Sequence, residues 1–140
     1  MLVRVKPLDL FSVLYIEKQF GPDAFSLEEF ERYMLSLDSD FFVYKNQESV
    51  IGYAIINKFP KYVYVESIAI DKAYSGRGYG TMLMLEIEEM YPSMQIKLDV
   101  SAQNDRARHV YKKLGYEEIG INQTFLYKDQ SFPITMVKNP

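Results

Sequence analysis

Three glycines fall within five residues, Gly76-Arg77-Gly78-Tyr79-Gly80, with Ser75 before them and Thr81 after. Upstream, Tyr62 to Ile70 is rich in β-branched and aromatic residues and alternates with period two, as a strand does. Downstream, Tyr79, Leu83, Ile87 and Met90 recur at helical spacing until Pro92 stops the helix. A glycine turn between a strand and a helix frees several backbone amides to point one way. The helix start adds a partial positive charge of about half a unit. That combination binds phosphate or pyrophosphate, and Arg77 is placed to add a direct charge. The plain alternative is a tight turn that needs only glycine.

The rest of the chain reads as one run of elements without repeat or low-complexity tract, hence a single domain over residues 1–140. Leu2 to Lys6 predicts a strand. Pro7 suits the first turn of a helix to Phe20, and Gly21-Pro22-Asp23 reads as a turn. Ser26 and Glu29 form a capping box that opens a second helix, with Leu27, Phe30, Tyr33, Met34 and Leu37 on its apolar face. Phe41 to Lys45 and Val50 to Lys58 predict a hairpin around Asn46-Gln47-Glu48. After the glycine helix come a strand, Met94 to Ser101, and a helix from an Asn104 cap to Leu114. Gly115 closes that helix. Two last strands are expected at Tyr116–Tyr127 and Phe132–Val137. The order is β-α-α-β-β-β-α-β-α-β-β. Antiparallel hairpins ahead of a β-α-β unit make the class α+β, with a mixed central sheet flanked by helices.

Composition narrows the chemistry. With 140 residues and no cysteine, disulfides, thiolate metal sites and a cysteine nucleophile are excluded. One histidine argues against a zinc site, so no metal is expected. The 16 Lys and Arg against 19 Asp and Glu lack the basic excess of a general nucleic-acid binder. No run approaches the ~18 apolar residues of a membrane span, and the first residues lack a signal-peptide core. The expected location is the cytoplasm, as a monomer or a homodimer.

Known phosphate motifs separate cleanly here. A Walker loop needs Gly-Lys-Ser or Gly-Lys-Thr, which is absent. The Rossmann fingerprint needs G-x-G-x-x-G, where this chain has G-x-G-x-G. The stretch Glu66-Ser67-Ile68-Ala69-Ile70-Asp71, then Gly76 to Gly80, resembles the acyl-CoA motif of the GNAT superfamily of N-acetyltransferases. Asn104, Ala107, Tyr111, Lys113, Leu114, Gly115 and Tyr116 resemble that superfamily's N-x-x-A-x-x-x-Y-x-K-L-G-[FY] segment. The spacing from Leu98-Asp99-Val100 to Tyr111, with Glu17, Phe20, Ser26 and Phe30 in the opening helices, is similar to the RimI-like, ribosomal-protein and protein N-terminal acetyltransferase branch. Two departures stand out. Ser75 replaces the usual Arg or Gln at the head of the motif. Phe125-Leu126-Tyr127 and Ser131-Phe132 replace the paired tyrosines and acidic pair near the C-terminal hairpin.

The resemblance implies transfer of an acetyl group from acetyl-CoA to a primary amine, an N-terminal α-amine of a protein or peptide above all. A polyamine-type small-molecule acetyltransferase and a non-catalytic acyl-CoA-binding module are the alternatives. It assigns cofactor contacts to Ile68, Ala69, Ile70, Ser75, Gly76, Arg77, Gly78, Tyr79, Gly80, Thr81, Asn104 and Tyr111. The amine must be neutral to attack. An α-amine with pKa ~7.7–8.0 is about a tenth neutral at pH 7, whereas a lysine amine with pKa ~10.4 is under ~0.1% neutral. Without cysteine, direct attack in a ternary complex is the simplest route. Asp99 is the first candidate for the base, acting through a water; the alternative is a solvent-facing or salt-bridged carboxylate. Glu66 is the second. Tyr62, Tyr64, Glu66, Ile68 and Ile70 alternate onto one face, so Glu66 is expected among apolar groups, where burial raises a carboxyl's pKa. Tyr111 is the candidate acid for the departing thiolate, or else an apolar residue of its helix. His109 and the glutamates at 86, 88, 89, 117 and 118 read as surface.

Overall fold

The structure is a computed structural model that describes residues 1–21 and 24–140. Pro22 and Asp23, and with them the turn expected at Gly21-Pro22-Asp23, lie outside the described residues. The elements are β1 (Leu2–Arg4), α1 (Asp9–Glu17), α2 (Leu27–Leu35), β2 (Ser39–Asn46), β3 (Ser49–Lys58), β4 (Tyr62–Ile70), α3 (Tyr79–Met90), β5 (Gln95–Ser101), α4 (Asp105–Lys113), β6 (Glu117–Ile121) and β7 (Pro133–Lys138). Two 3-10 turns join them, Lys18–Phe20 and Lys72–Tyr74. The strand and helix order is the one read from the sequence.

One seven-stranded sheet runs β1-β2-β3-β4-β5-β7-β6. Every neighbouring pair is antiparallel except β4 and β5, the parallel pair that α3 connects. Both faces are covered. Ala54, Ile56, Val63, Val65, Leu83, Met84 and Ile87 form the core under α3, and Leu10, Val13, Ile16, Phe30, Phe41, Tyr53 and Ile55 the core under α1 and α2.

The local signals explain most boundaries. Ser26 and Glu29 close the capping box at α2: Ser26 Oγ accepts from the Glu29 amide at 3.2 Å and Glu29 Oε1 from the Ser26 amide at 3.1 Å. Such a cap contributes about 1 kcal/mol. Asn104 caps α4 through the Ala107 amide at 3.2 Å. The hairpin turn is only two residues, Gln47 and Glu48, with Asn46 opposite Ser49.

Four expectations are corrected. The strand from Tyr116 stops at Ile121, because Asn122 turns the chain and accepts from the Thr124 amide at 3.0 Å. Leu37 lies past the end of α2 and is 92% exposed. Two of the glutamates read as surface, Glu86 and Glu88, are half-buried and engaged, Glu86 with the Leu2 amide and Glu88 with Tyr116 and Lys138, while Glu118 is exposed and pairs with Arg108 and Lys112. The fourth concerns β4. Ile55 pairs with Ser67 and Ile56 with Val65, which leaves Glu66 as the extra residue of a β-bulge. Val63 and Val65 pack under α3, and beyond the bulge Ile68 and Ile70 do so. An extra residue shifts the alternation by one. Glu66 therefore does not share a face with Ile68 and Ile70.

Candidate active site

Strands β4 and β5 pair only from Tyr62 to Tyr64, against Gln95 to Lys97, and then part. The glycine loop and the start of α3 fill the space beside the split. Gly76 and Gly78 have φ of 77° and 82°, a left-handed region that costs other L-residues about 1–2 kcal/mol. The first helical bond of α3 runs from the Met82 amide to the Gly78 carbonyl at 3.1 Å. The amides of Tyr79, Gly80 and Thr81 precede it and have no helical acceptor. A Cβ built on Gly78 would meet nothing within 4 Å, so the space above this turn is open. A pyrophosphate fits such a cradle by its donors, its charge and its room.

A cavity of about 500 Å³ extends from this cradle. The edge of β4 lines it with Ile68, Ala69 and Ile70, the loop with Ser75, Gly76 and Gly78, and the helix start with Tyr79, Gly80 and Thr81. Asn104 and Tyr111 close it from α4. Of the expected cofactor contacts only Arg77 is outside: its guanidinium lies over the Tyr74 ring, 5.5 Å from the centroid. Arg106 is the arginine on the cavity wall, and a turn of α4 rather than a motif brings it there. Phe20 lines the cavity from the turn after α1, a contact across the fold that no local spacing announces. The Ser75 hydroxyl donates to the Lys72 carbonyl at 2.8 Å, so its proton serves the loop itself.

On the sheet face toward α1 and α2 stand two carboxylates. Asp99 accepts from the Tyr64 hydroxyl, from Asn122 Nδ2 at 3.2 Å and from Thr135 Oγ1 at 2.6 Å. Among the described residues, three neutral donors and no salt bridge hold it. Glu66 accepts from the Tyr33 hydroxyl at 3.3 Å and Asn57 Nδ2 at 3.2 Å. Its surroundings are polar because the bulge turns it away from the core under α3. Burial and the Asp99 hydrogen bond push the Tyr64 phenol up, and burial with the Glu66 charge does the same to Tyr33. Tyr127 is pushed up to about 12 by burial, Asp99, Tyr111 and Asp129. These phenols keep their protons at neutral pH. Tyr33, Asn57, Tyr64, Asn122 and Thr135 were not singled out from the sequence, since they come from five separate segments.

Tyr111 belongs to the cavity side. It lines the cavity, and its ring meets Tyr116 edge-on with centroids 5.8 Å apart. Burial raises its phenol above the ordinary value. His109 is exposed. Among the described residues no group of three or more His, Cys, Asp or Glu is arranged to hold a metal ion, and no helix is long and apolar enough to cross a membrane.

A parted parallel strand pair, a glycine cradle at a helix start and a phenol on the next helix define an acyl-CoA-dependent transferase. The profile of the acetyltransferase (GNAT) family matches residues 9–116. The chain belongs to that family of acetyl-CoA-dependent N-acetyltransferases. It is 28% identical over 109 residues to the N-alpha-acetyltransferase RimI of Mycobacterium tuberculosis, covering 75% of this chain and 69% of that one. It is 30% identical over 125 residues, 85% of its length, to an uncharacterized protein of Mycobacterium leprae. The matched region spans 35% of that longer relative. In fold it is similar to the crystal structure of the ribosomal-protein-S18-alanine N-acetyltransferase of Escherichia coli. The TM-score is 0.86 at 20% identity, covering 98% of this chain and 91% of that one.

Proposed function

We propose that this protein acetylates the N-terminal α-amine of a protein or peptide, using acetyl-CoA as donor. One observation carries the reading: Tyr64–Asp99 and Glu66 stand on one side of the strand split, and the cradle with Tyr111 stands on the other. Acetyl-CoA supplies the activated acetyl thioester. Its phosphates fit the amides of the Gly78 turn and the start of α3, and its acyl arm fits the cavity along Ile68–Ile70. Asn104 contributes its α4 terminus to the same wall.

Glu66 attracts the incoming ammonium group. The Tyr64 hydroxyl, already donating to Asp99, accepts the amine's proton as its own passes to Asp99 Oδ2. This hydroxyl stands where a bridging water was expected. The neutral nitrogen then forms the new N–C bond; as the C–S bond breaks, Tyr111 Oη gives its proton to the departing sulfur, and the second proton released by the nitrogen passes through solvent to restore the phenol. The raised phenol keeps that proton available at neutral pH. An α-amine suits this apparatus, because its ordinary pKa asks less of the base than a lysine amine's does. The matched RimI relative supports the same acceptor class.

Acetyl-CoA turnover against N-terminal peptides, peptides with only a lysine amine, and polyamines tests the reading. The expected order puts α-amine peptides first. Faster turnover of a polyamine would move the assignment to small amines. No CoA release with any amine would make the chain a binding module.

A further inference from the structure

Glu17 ends α1, the negative end of the helix dipole and a poor place for a carboxylate. No basic residue occupies the last turn of α1 to offset it. Specific partners hold the side chain instead. Glu17 Oε1 accepts from the Tyr53 hydroxyl at 2.7 Å, and Oε2 accepts from the Phe25 amide at 3.1 Å. Tyr53 is wholly buried in the core under α1 and α2. Its hydroxyl also lies 2.7 Å from Ser67 Oγ. Because the Tyr53 proton goes to Glu17, Ser67 is the donor of that second bond. The result is a one-way chain: Ser67 donates to Tyr53, Tyr53 to Glu17, and the Phe25 amide to Glu17 from the other side.

The ends of this chain are informative. Ser67 follows Glu66 in the β4 bulge, and Ile55 faces it in register. Phe25 leads into α2, and its ring packs 5.7 Å from Tyr33, which donates to Glu66. Both routes from Glu17 therefore converge on Glu66. An ionised carboxylate is the side chain that accepts at both oxygens and donates at neither. Glutamine would turn one bond around and break the chain's direction.

We propose that Glu17 is a positioning residue for the acceptor amine. It holds the bulge and the α2 approach together, so that Glu66 is aimed where the ammonium group arrives. The inference rests on the acceptor site proposed above. It adds that this site is set from the end of α1, without contact between Glu17 and the substrate.

The test is steady-state kinetics on Glu17→Gln, Ser67→Ala, Ser67→Thr and Glu66→Gln, alone and combined, with acetyl-CoA affinity measured by calorimetry. Glu17→Gln is expected to raise the acceptor KM about tenfold while leaving the acetyl-CoA Kd unchanged. Ser67→Ala should do the same to a smaller extent, and Ser67→Thr, which keeps the hydroxyl, should restore the wild-type KM. In the Glu66→Gln background neither change should add to the acceptor KM, because the group they position is gone. An unchanged acceptor KM in Glu17→Gln overturns the inference. So does a KM increase of the same size with Glu66 already replaced. If Glu66→Gln itself leaves the acceptor KM at wild type while Glu17→Gln raises it, the assignment of Glu66 fails, and Glu17 acts on another group. Thermal melts accompany each variant. Ser67→Ala, a small change at a half-buried strand position, keeps the test sound if Glu17→Gln is poorly folded.

Discussion

The two sides of the strand split are built from different materials. The donor side is largely backbone: the open amides of Tyr79 to Thr81, the left-handed turns at Gly76 and Gly78, and the free edge of β4. The acceptor side is side chains: Tyr64, Asn122 and Thr135 around Asp99, and Tyr33 and Asn57 around Glu66. A backbone cradle needs glycines in a fixed order and tolerates almost anything else. A side-chain cluster needs particular groups, which the chain draws from wherever the fold places them. A backbone cradle of this kind suits a common ligand, and a side-chain cluster suits a particular one.

That contrast predicts that damage to one side spares the other. The largest effect falls on the acceptor side. Asp99→Asn keeps its shape but loses the proton acceptor, so turnover should fall by about 10²–10⁴-fold. Stopped turnovers and a CoA titration on the same preparation check this, and near-wild-type turnover would remove Asp99 from the proposed proton path. Tyr111→Phe comes next. The ring and its packing on Tyr116 remain, and turnover should drop about 10–10³-fold, less than the full range because a thiolate leaves readily. Burial raises this phenol, so the wild type should hold its activity as pH rises from about 6 to about 9. The variant should lose most at the alkaline end, where solvent protons are scarce. Full activity of the variant across that range would leave Tyr111 a packing residue.

On the donor side, Gly78→Val sets a Cβ into the open space over the cradle and strains a turn at φ 82°. CoA affinity should weaken by about tenfold or more, about 1.4 kcal/mol. Calorimetry on folded variant with unchanged affinity would refute the cradle. The smallest kinetic effect is expected away from both sides, at Asp40. Burial alone would raise this carboxyl, but Tyr91 at 2.6 Å, Lys58 at 3.2 Å and Arg4 at 3.3 Å outweigh it and hold it below the usual range. A depressed folded pKa stabilises above the unfolded value and is lost as pH falls through the folded one. Asp40→Asn should cost about 1–3 kcal/mol of stability at neutral pH, with the difference from wild type shrinking in acid. Its turnover should match the wild type. Melting curves at several pH values read the first effect and steady-state rates the second.

The same contrast explains what was legible in the sequence. Ser75 to Thr81 is contiguous, and Asn104 with Tyr111 sits at helical spacing, so residues that line the donor cavity can be picked out without a fold. Strand order followed from period and punctuation. The acceptor side was hidden for two physical reasons. Its hydrogen-bond donors come from α2, β3, β4, the segment after β6, and β7, which meet only after the sheet forms. And the bulge at Glu66 breaks the alternation that period-two reading assumes, so the pattern alone puts Glu66 on the wrong face. The loop from Asn122 has aromatic residues of strand character, but local turn bonds hold it out of the sheet.

The most direct test of this division is a calorimetric titration of CoA into the Glu66→Gln/Asp99→Asn double variant. With the donor side made of backbone and the opposite face intact, the Kd should stay within about twofold of wild type while turnover is abolished. A Kd weakened by about tenfold or more in a folded double variant would contradict it, and would make the two carboxylates part of the donor site.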